Sequence, residues 1–175
     1  TIKLEADMIM TKNVDYWFDI LSQKDVVVCN TIRDYKGNIS NVKAYREFTQ
    51  ANKLPDVYNA MTYFKKSKFS EDFFNLTKEI FQNWEEYKKI LICDIDEQAS
   101  TDWVYAIACH IMGVENTTLP YNDFSFVHMK QLINNLATED WTKELVYEFN
   151  PLRIQTIPQQ YPFHYYVKTF GKQYG

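Results

Sequence analysis

Apolar residues recur with helical spacing in three stretches of the chain. The first stretch covers residues 14–21, the second residues 70–87 and the third residues 98–112. Residues three and four positions apart share one face of a helix, so this spacing predicts three amphipathic helices. Ser70, which two acidic residues follow, is the expected N-cap of the second helix, and Gly113 is the expected end of the third.

Other stretches have the β-branched and aromatic residues that favour strands. Residues 25–29 are a β-branched run that predicts a buried strand, and residues 55–64 predict a loop that leads into a strand. The last third of the chain predicts only short strands, at residues 126–128, 145–149, 152–155 and 163–167. Strands mixed with helices indicate an α/β or α+β fold.

Length and composition bound the possible classes of protein. The chain has 175 residues, which is typical of one domain, and 46% of them are hydrophobic, enough for a packed core. We therefore treat residues 1–175 as a single domain. Only four residues are glycine, and neither the dinucleotide-binding pattern GxGxxG nor the P-loop pattern is present, which argues against both of those nucleotide-binding classes.

The net charge and the cysteines indicate which binding partners and which cellular compartment to expect. The net charge of −4 argues against a general nucleic-acid binder, which needs clustered Lys and Arg. No carboxylate follows Glu148, so the positive C-terminal segment either lies near a phosphate or is a solvated basic tail. Three cysteines without CxxC spacing suggest reduced thiols. With no apolar run long enough to span a membrane and no signal peptide, we expect a soluble cytoplasmic protein.

Two carboxylates follow a short β-like run at the start of the chain. Glu5 and Asp7 are two residues apart, and in a strand such residues point to the same side. Two carboxylates on one side can hold Mg²⁺ or Mn²⁺, which in turn can bind a diphosphate. The alternative for this pair is a solvated strand end.

The surrounding residues strengthen the first interpretation. Residues 4–18, LEADMIMTKNVDYWF, resemble the LDADxhhxxxhxxhF signature of metal-dependent nucleotide-sugar glycosyltransferases with a GT-A fold. The resemblance implies an α/β fold with a GT-A-like mixed sheet flanked by helices. It also implies that Glu5 and Asp7 hold the sugar nucleotide through Mn²⁺ or Mg²⁺, although Glu5 stands where the family usually has Asp. Because the motif lies almost at Thr1, we expect the N-terminal nucleotide-binding portion of such a domain to be missing here.

A second element matches the glycosyltransferase-8-like group. Residues 58–64, YNAMTYF, resemble its FNAGhhhh element, so Asn59 and Ala60 are predicted to line the pocket for the donor sugar. Met61 replaces the glycine of that element, which would tighten or block the approach of a sugar to the backbone. The alternative is an ordinary strand with Asn59 in a turn.

A third element lies ahead of the third helix. Residues 94–99, DIDEQA, resemble the elements DQxxhN or DExAh, which place an acid or amide beside the reacting sugar carbon. By that match Asp96 and Glu97 are the catalytic candidates. The alternative is that both simply favour a helix N-terminus. A phosphatase of the haloacid-dehalogenase type, with Asp94 as nucleophile, would need more chain downstream than is present here.

The last match is near the C-terminus. In the resembled family a C-terminal His completes the metal shell and a nearby Lys contacts the diphosphate, so His164 and Lys168 are assigned those roles. The HxxGxxKPW spacing of the family is not kept, and a hydrogen-bonded core histidine is the alternative for His164. Neither His128 nor His110 has metal-ligand spacing to another His or Cys, so both are expected to be structural. Asp102 has no assigned role.

Together the resemblance implies a glycosyltransferase that moves a sugar from a UDP- or GDP-sugar to an acceptor with the help of a divalent metal. The resemblance leaves the acceptor of the sugar open, with a nucleic acid as a less favoured acceptor. The alternative is a non-catalytic, truncated glycosyltransferase-like module for binding or assembly. Glu5 in place of Asp, Met61 in place of Gly and the missing N-terminal portion favour that alternative.

Overall fold

The computed structural model describes residues 1–10, 13–34, 37–40, 43–94, 97–128, 133–135, 144–149, 153–158 and 161–164. The helices in this part are α1 (Asp15–Leu21), α2 (Lys43–Ala51), α3 (Lys68–Gln82), α4 (Trp84–Lys88), α5 (Thr101–Met112) and α6 (Val114–Thr117). The strands are β1 (Ile2–Leu4), β2 (Met8–Ile9), β3 (Val26–Cys29), β4 (Ile32–Arg33), β5 (Ile39–Ser40), β6 (Tyr58–Phe64), β7 (Phe126–His128), β8 (Ile133–Asn135), β9 (Glu144–Phe149), β10 (Arg153–Pro158) and β11 (Phe163–His164).

These strands form three sheets. The first has the order β1-β6-β3 and is antiparallel throughout. The second has the order β2-β11-β7-β4-β5; its three central strands are parallel, and both edge strands are antiparallel to their neighbours. The third is the antiparallel sheet β10-β9-β8. The fold is therefore a mixed α/β arrangement of sheets and helices, which confirms the predicted fold class at this level; the GT-A assignment stays a prediction.

The chain passes directly between the first two sheets at two places. Residues 5–7 form the turn between β1 in the first sheet and β2 in the second. The N–H of Glu5 donates to the carbonyl of Ala60 at 3.0 Å, and the N–H of Met8 donates to the carbonyl of Glu5 at 3.1 Å. The second crossing is at β3 and β4, which are separated by two residues. These short crossings bring the ends of the two sheets together.

Buried apolar residues lie on both faces of the first sheet. On β3, Val27 and Cys29 belong to the cluster that contains Trp17 of α1, whereas Val26 and Val28 pack in the cluster that contains Phe73 of α3. The alternation follows from strand geometry, in which successive side chains point to opposite faces. It explains why residues 26–29 are apolar without interruption, and the predicted buried strand is confirmed.

The second predicted helix is found, but its N-cap prediction was wrong. Ser67 is the N-cap of α3, and its side chain accepts a hydrogen bond from the N–H of Ser70 at 3.1 Å. The hydroxyl of Ser70, inside the first turn, donates to the carbonyl of Lys65 at 2.6 Å. The predicted helix over residues 70–87 is also divided at Asn83, where φ is −110° and α3 gives way to α4.

The third predicted helix begins at Thr101 and ends at Gly113, where φ is +93°. This left-handed backbone conformation favours glycine and ends the helix as predicted. Helix α2 was not predicted. No described helix has both the length and the apolar character that crossing a bilayer requires.

Candidate metal centre

The two carboxylates at the start of the chain lie on a turn. Strand β1 ends at Leu4, and Glu5 to Asp7 form the turn that leads into β2. The expectation that Glu5 and Asp7 share one face of a strand was therefore wrong. The turn itself, closed by the hydrogen bond from Met8 to Glu5, brings the two side chains toward the same place.

Strand β11 supplies the third member of the cluster. It lies between β2 and β7, and its residue His164 is the register partner of Met8, the residue after Asp7. The Nε2 atom of His164 is 3.0 Å from Oδ1 of Asp7 and 3.5 Å from Oε2 of Glu5. Strand pairing thus joins residues from the two ends of the sequence into one site, here called the acidic–histidine cluster: Glu5, Asp7 and His164.

The cluster is partly sheltered from solvent. The side chains of His164, Asp7 and Glu5 are 12%, 16% and 35% exposed, respectively. Partial burial strengthens electrostatic interactions relative to those in bulk water, while the more exposed Glu5 leaves the site open on one side. The arrangement suits a cation that also binds a ligand from solvent.

Distances and chemistry in the cluster fit a small divalent cation. One ligand atom from each residue can be chosen so that all three lie within 4.8 Å of one another. Oxygen ligands of Mg²⁺ lie about 2.0–2.1 Å from the ion in octahedral geometry, so neighbouring ligand atoms are about 3 Å apart. The 3.0 and 3.5 Å separations from His164 are close to that value. Carboxylates suit Mg²⁺ and Mn²⁺, and an imidazole ligand extends the choice to other transition metals.

Asn59 and Lys3 form a polar layer behind Glu5. The side-chain N–H of Asn59 donates to Oε1 of Glu5 at 3.4 Å, and the Lys3 ammonium donates to the side-chain and backbone oxygens of Asn59. Burial lowers the pKa of Lys3, an effect opposed by the charges of Glu5 and Asp102. The ammonium also lies 5.4 Å from the ring centre of Tyr105. The predicted pocket residue Asn59 therefore contacts a predicted metal ligand, and Lys3 adds a positive charge that the sequence interpretation missed.

Asp102 is a further carboxylate in this layer. One of its oxygens accepts the backbone N–H of Asn59 at 2.7 Å. Burial raises the pKa of Asp102 to about 6, and the charges of Glu5 and Asp56 add to the rise, whereas the Asn59 hydrogen bond and His164 oppose it. The sequence shows only an acidic residue in the first turn of the largely buried helix α5, and its contact with Asn59 depends on the packing of that helix against β6.

His128 contacts His164 from the neighbouring strand. The Nδ1 atoms of the two rings are 3.2 Å apart, and the ring centres are 5.0 Å apart. No spacing pattern in the sequence pointed to this pair, because it depends on the pairing of β7 with β11.

The remaining predicted residues lie elsewhere or outside the described residues. Ala60 contacts the cluster through its carbonyl, which accepts the N–H of Glu5. Glu97 is exposed and lines a separate groove of about 390 Å³ together with Phe48 and Trp103. Asp96 and Lys168 are outside the described residues, so their predicted roles stay predictions.

Comparison with known proteins adds no assignment. Neither the protein-family models, nor the curated proteins, nor the solved structures gave a significant match to this chain. What the chain does must therefore be inferred from its own residues and their arrangement.

Proposed function

We propose that this chain is a metal-dependent glycosyltransferase that takes a UDP- or GDP-sugar as donor and uses Mn²⁺ or Mg²⁺. The observation that carries the proposal is the approach of His164 to Asp7 and Glu5, at 3.0 and 3.5 Å. The resemblance implied these three residues as the metal ligands, although His164 is far from the other two in sequence. Their meeting in the fold supports the proposal because that contact did not enter the choice of residues.

In this proposal Glu5, Asp7 and His164 would hold the cation beside the diphosphate of the donor. A cation bound there would offset the negative charge that develops on the departing nucleoside diphosphate. Asn59 holds the carboxylate of Glu5 in place, and Lys3 fixes the side-chain oxygen of Asn59. The chain's own contribution is therefore a pre-arranged set of ligands, which reduces the reorganisation needed when the donor binds.

The proposed metal binding does not depend on the catalytic roles implied for Asp96 and Glu97. Glu97, which precedes helix α5, lines a groove together with Trp103 of that helix, whereas Asp102 of α5 contacts Asn59. Successive residues of a helix are about 100° apart around its axis, so Asp102 and Trp103 point in different directions. The metal step of the proposal needs neither Asp96 nor Glu97.

Calorimetric titration of UDP and GDP, each with and without Mn²⁺, tests the proposal on the wild-type chain and on Asp7→Ala. We expect one of the nucleotides to bind only when Mn²⁺ is present, and we expect this binding to be lost in Asp7→Ala. Asp19→Ala, an exposed position on α1, is the matched control and should bind as the wild type does.

The other outcomes separate the alternatives. Nucleotide binding that does not depend on Mn²⁺, or that survives in Asp7→Ala, would contradict the metal-centred proposal. If neither nucleotide nor Mn²⁺ binds to the wild type, the catalytic assignment fails and the non-catalytic binding or assembly module is favoured.

A further inference from the structure

A pair of histidines connects the acidic–histidine cluster to the interior of the second sheet. Strands β7 and β11 are parallel neighbours, and His128 is the register partner of His164. The two Nδ1 atoms are 3.2 Å apart, which is hydrogen-bonding distance. Phe126 contacts both rings edge-on, with ring centres 5.9 Å from His128 and 6.2 Å from His164. The relative positions of the two rings are therefore set by strand pairing and by a shared aromatic neighbour.

The hydrogen bond between the two rings constrains where their protons lie. A neutral imidazole has one N–H donor and one acceptor nitrogen, so a bond between two Nδ1 atoms requires the proton on only one of them. The Nε2 atom of His164 is the atom that faces Asp7 and Glu5. If Nε2 gives its lone pair to a cation, the proton of the neutral His164 ring is on Nδ1, and it then needs an acceptor. The Nδ1 atom of His128 is in position to accept it.

We propose that His128 is a positioning residue for the metal centre: it accepts the Nδ1–H of His164, fixes the tautomer in which Nε2 is free to bind a cation, and holds the ring toward Asp7. This inference rests on the proposed metal binding by the acidic–histidine cluster. His164 is only 12% exposed, so water has little access to replace His128 as the partner of the ring. Outer partners of metal-bound histidines commonly act in this way, and their loss reduces metal affinity about 10–100-fold.

Titration of the full chain with Mn²⁺ alone tests the proposal. Binding is measured by the loss of the electron paramagnetic resonance signal of free Mn²⁺. In His128→Phe the ring against Phe126 is kept but the acceptor is lost, and we expect the dissociation constant for Mn²⁺ to rise about 10–100-fold. In His128→Asn the side-chain oxygen can take the place of Nδ1, so most of the affinity should return. His110→Phe, at an exposed position of α5, should bind as the wild type does.

Nitrogen NMR of the Mg²⁺-loaded wild type gives a readout that a purely structural role would not produce. Long-range proton–nitrogen correlations should find the His164 proton on Nδ1 and the His128 proton on Nε2. Equal Mn²⁺ affinity in His128→Phe and the wild type, or a loaded His164 without a proton on Nδ1, would overturn the role of His128 while leaving the metal site intact. A wild-type chain that binds no Mn²⁺ would overturn both proposals.

Discussion

Replacing Asp102 by asparagine tests how the fold holds a carboxylate beside the candidate metal centre. Asparagine keeps an oxygen that can accept the N–H of Asn59, which Asp102 now accepts at 2.7 Å, but it cannot ionise. The pKa of Asp102 is raised from 3.8 to about 6, chiefly by burial. Between these two values the folded protein binds more protons than the unfolded chain, so the free energy of unfolding falls as the pH rises through this interval.

The size of the effect follows from the pKa values. The interval between 3.8 and about 6, at about 1.4 kcal/mol for each pH unit, corresponds to about 3 kcal/mol. We expect the wild type to lose about this much stability relative to Asp102→Asn between pH 3.5 and pH 8. Packing differences between the two side chains do not depend on pH. The way in which the difference in free energy of unfolding between the two proteins varies with pH therefore reports the ionisation of Asp102 alone.

The assay is urea unfolding of both proteins at intervals from pH 3.5 to pH 8, in EDTA so that no divalent cation contributes. Asp25→Asn is a control whose pH dependence has the opposite sign and is confined to the acid end of this range, because hydrogen bonds from Lys65 and then Ser67 lower the pKa of Asp25. The stability that Asp25 contributes is present above pH 3.8 and is lost as the pH falls through its folded pKa. The free energy of unfolding of the wild type minus that of Asp102→Asn should fall as the pH rises. If this difference stays constant or rises with pH, Asp102 is not a buried carboxylate whose ionisation destabilises the fold.

Two further predictions concern the fold itself. Ser67→Ala removes the side-chain cap of α3 and should lower the free energy of unfolding, measured in urea, by about 1 kcal/mol. Ser100→Ala is the control, because the N-cap of α5 makes no side-chain cap hydrogen bond, and it should change this free energy by less than about 0.5 kcal/mol. Equal losses in the two variants would contradict the cap assignment. In the native protein at pH 8, Cys93 should react with Ellman's reagent before Cys29 and Cys109. Those two thiols are buried, and burial raises the pKa of each to about 12. Rapid reaction of all three thiols without denaturant would contradict this order.

The sequence predicted elements best where the local pattern alone decides the structure. The β-branched run of β3 is apolar because both faces of the strand are buried, and Gly113 ends α5 because its backbone has a positive φ. Helix α2 was missed because the contact that holds it is tertiary: the ring of Phe48 stacks on Trp103 of α5 with 4.1 Å between ring centres. Apolar character alone does not predict burial either, since Ile90 and Ile92 are 80% and 68% exposed.

The candidate site was predicted in its residues more than in its geometry. Glu5 and Asp7 were expected on one face of a strand, but a turn brings them together. Lys3, His128 and Asp102 were not assigned to the site because each reaches it through a contact between distant parts of the chain. Spacing along a sequence carries information about neighbours within one helix or strand, and these contacts form between such elements.

The position of the cluster suggests why a cation would matter to the fold as well as to the chemistry. Strands β2 and β11 are two residues long, so few backbone hydrogen bonds hold them in the second sheet. In the proposed site a cation joins the turn at Glu5 and Asp7 to His164 of β11, and so connects the crossing between the sheets to one of these short strands. Because a ligand that binds only the folded state stabilises that state, the free energy of cation binding would add to the weak pairing of β11. Occupancy of the proposed metal site and pairing of β11 would then favour each other, and His128 of β7 contacts His164 from the neighbouring strand.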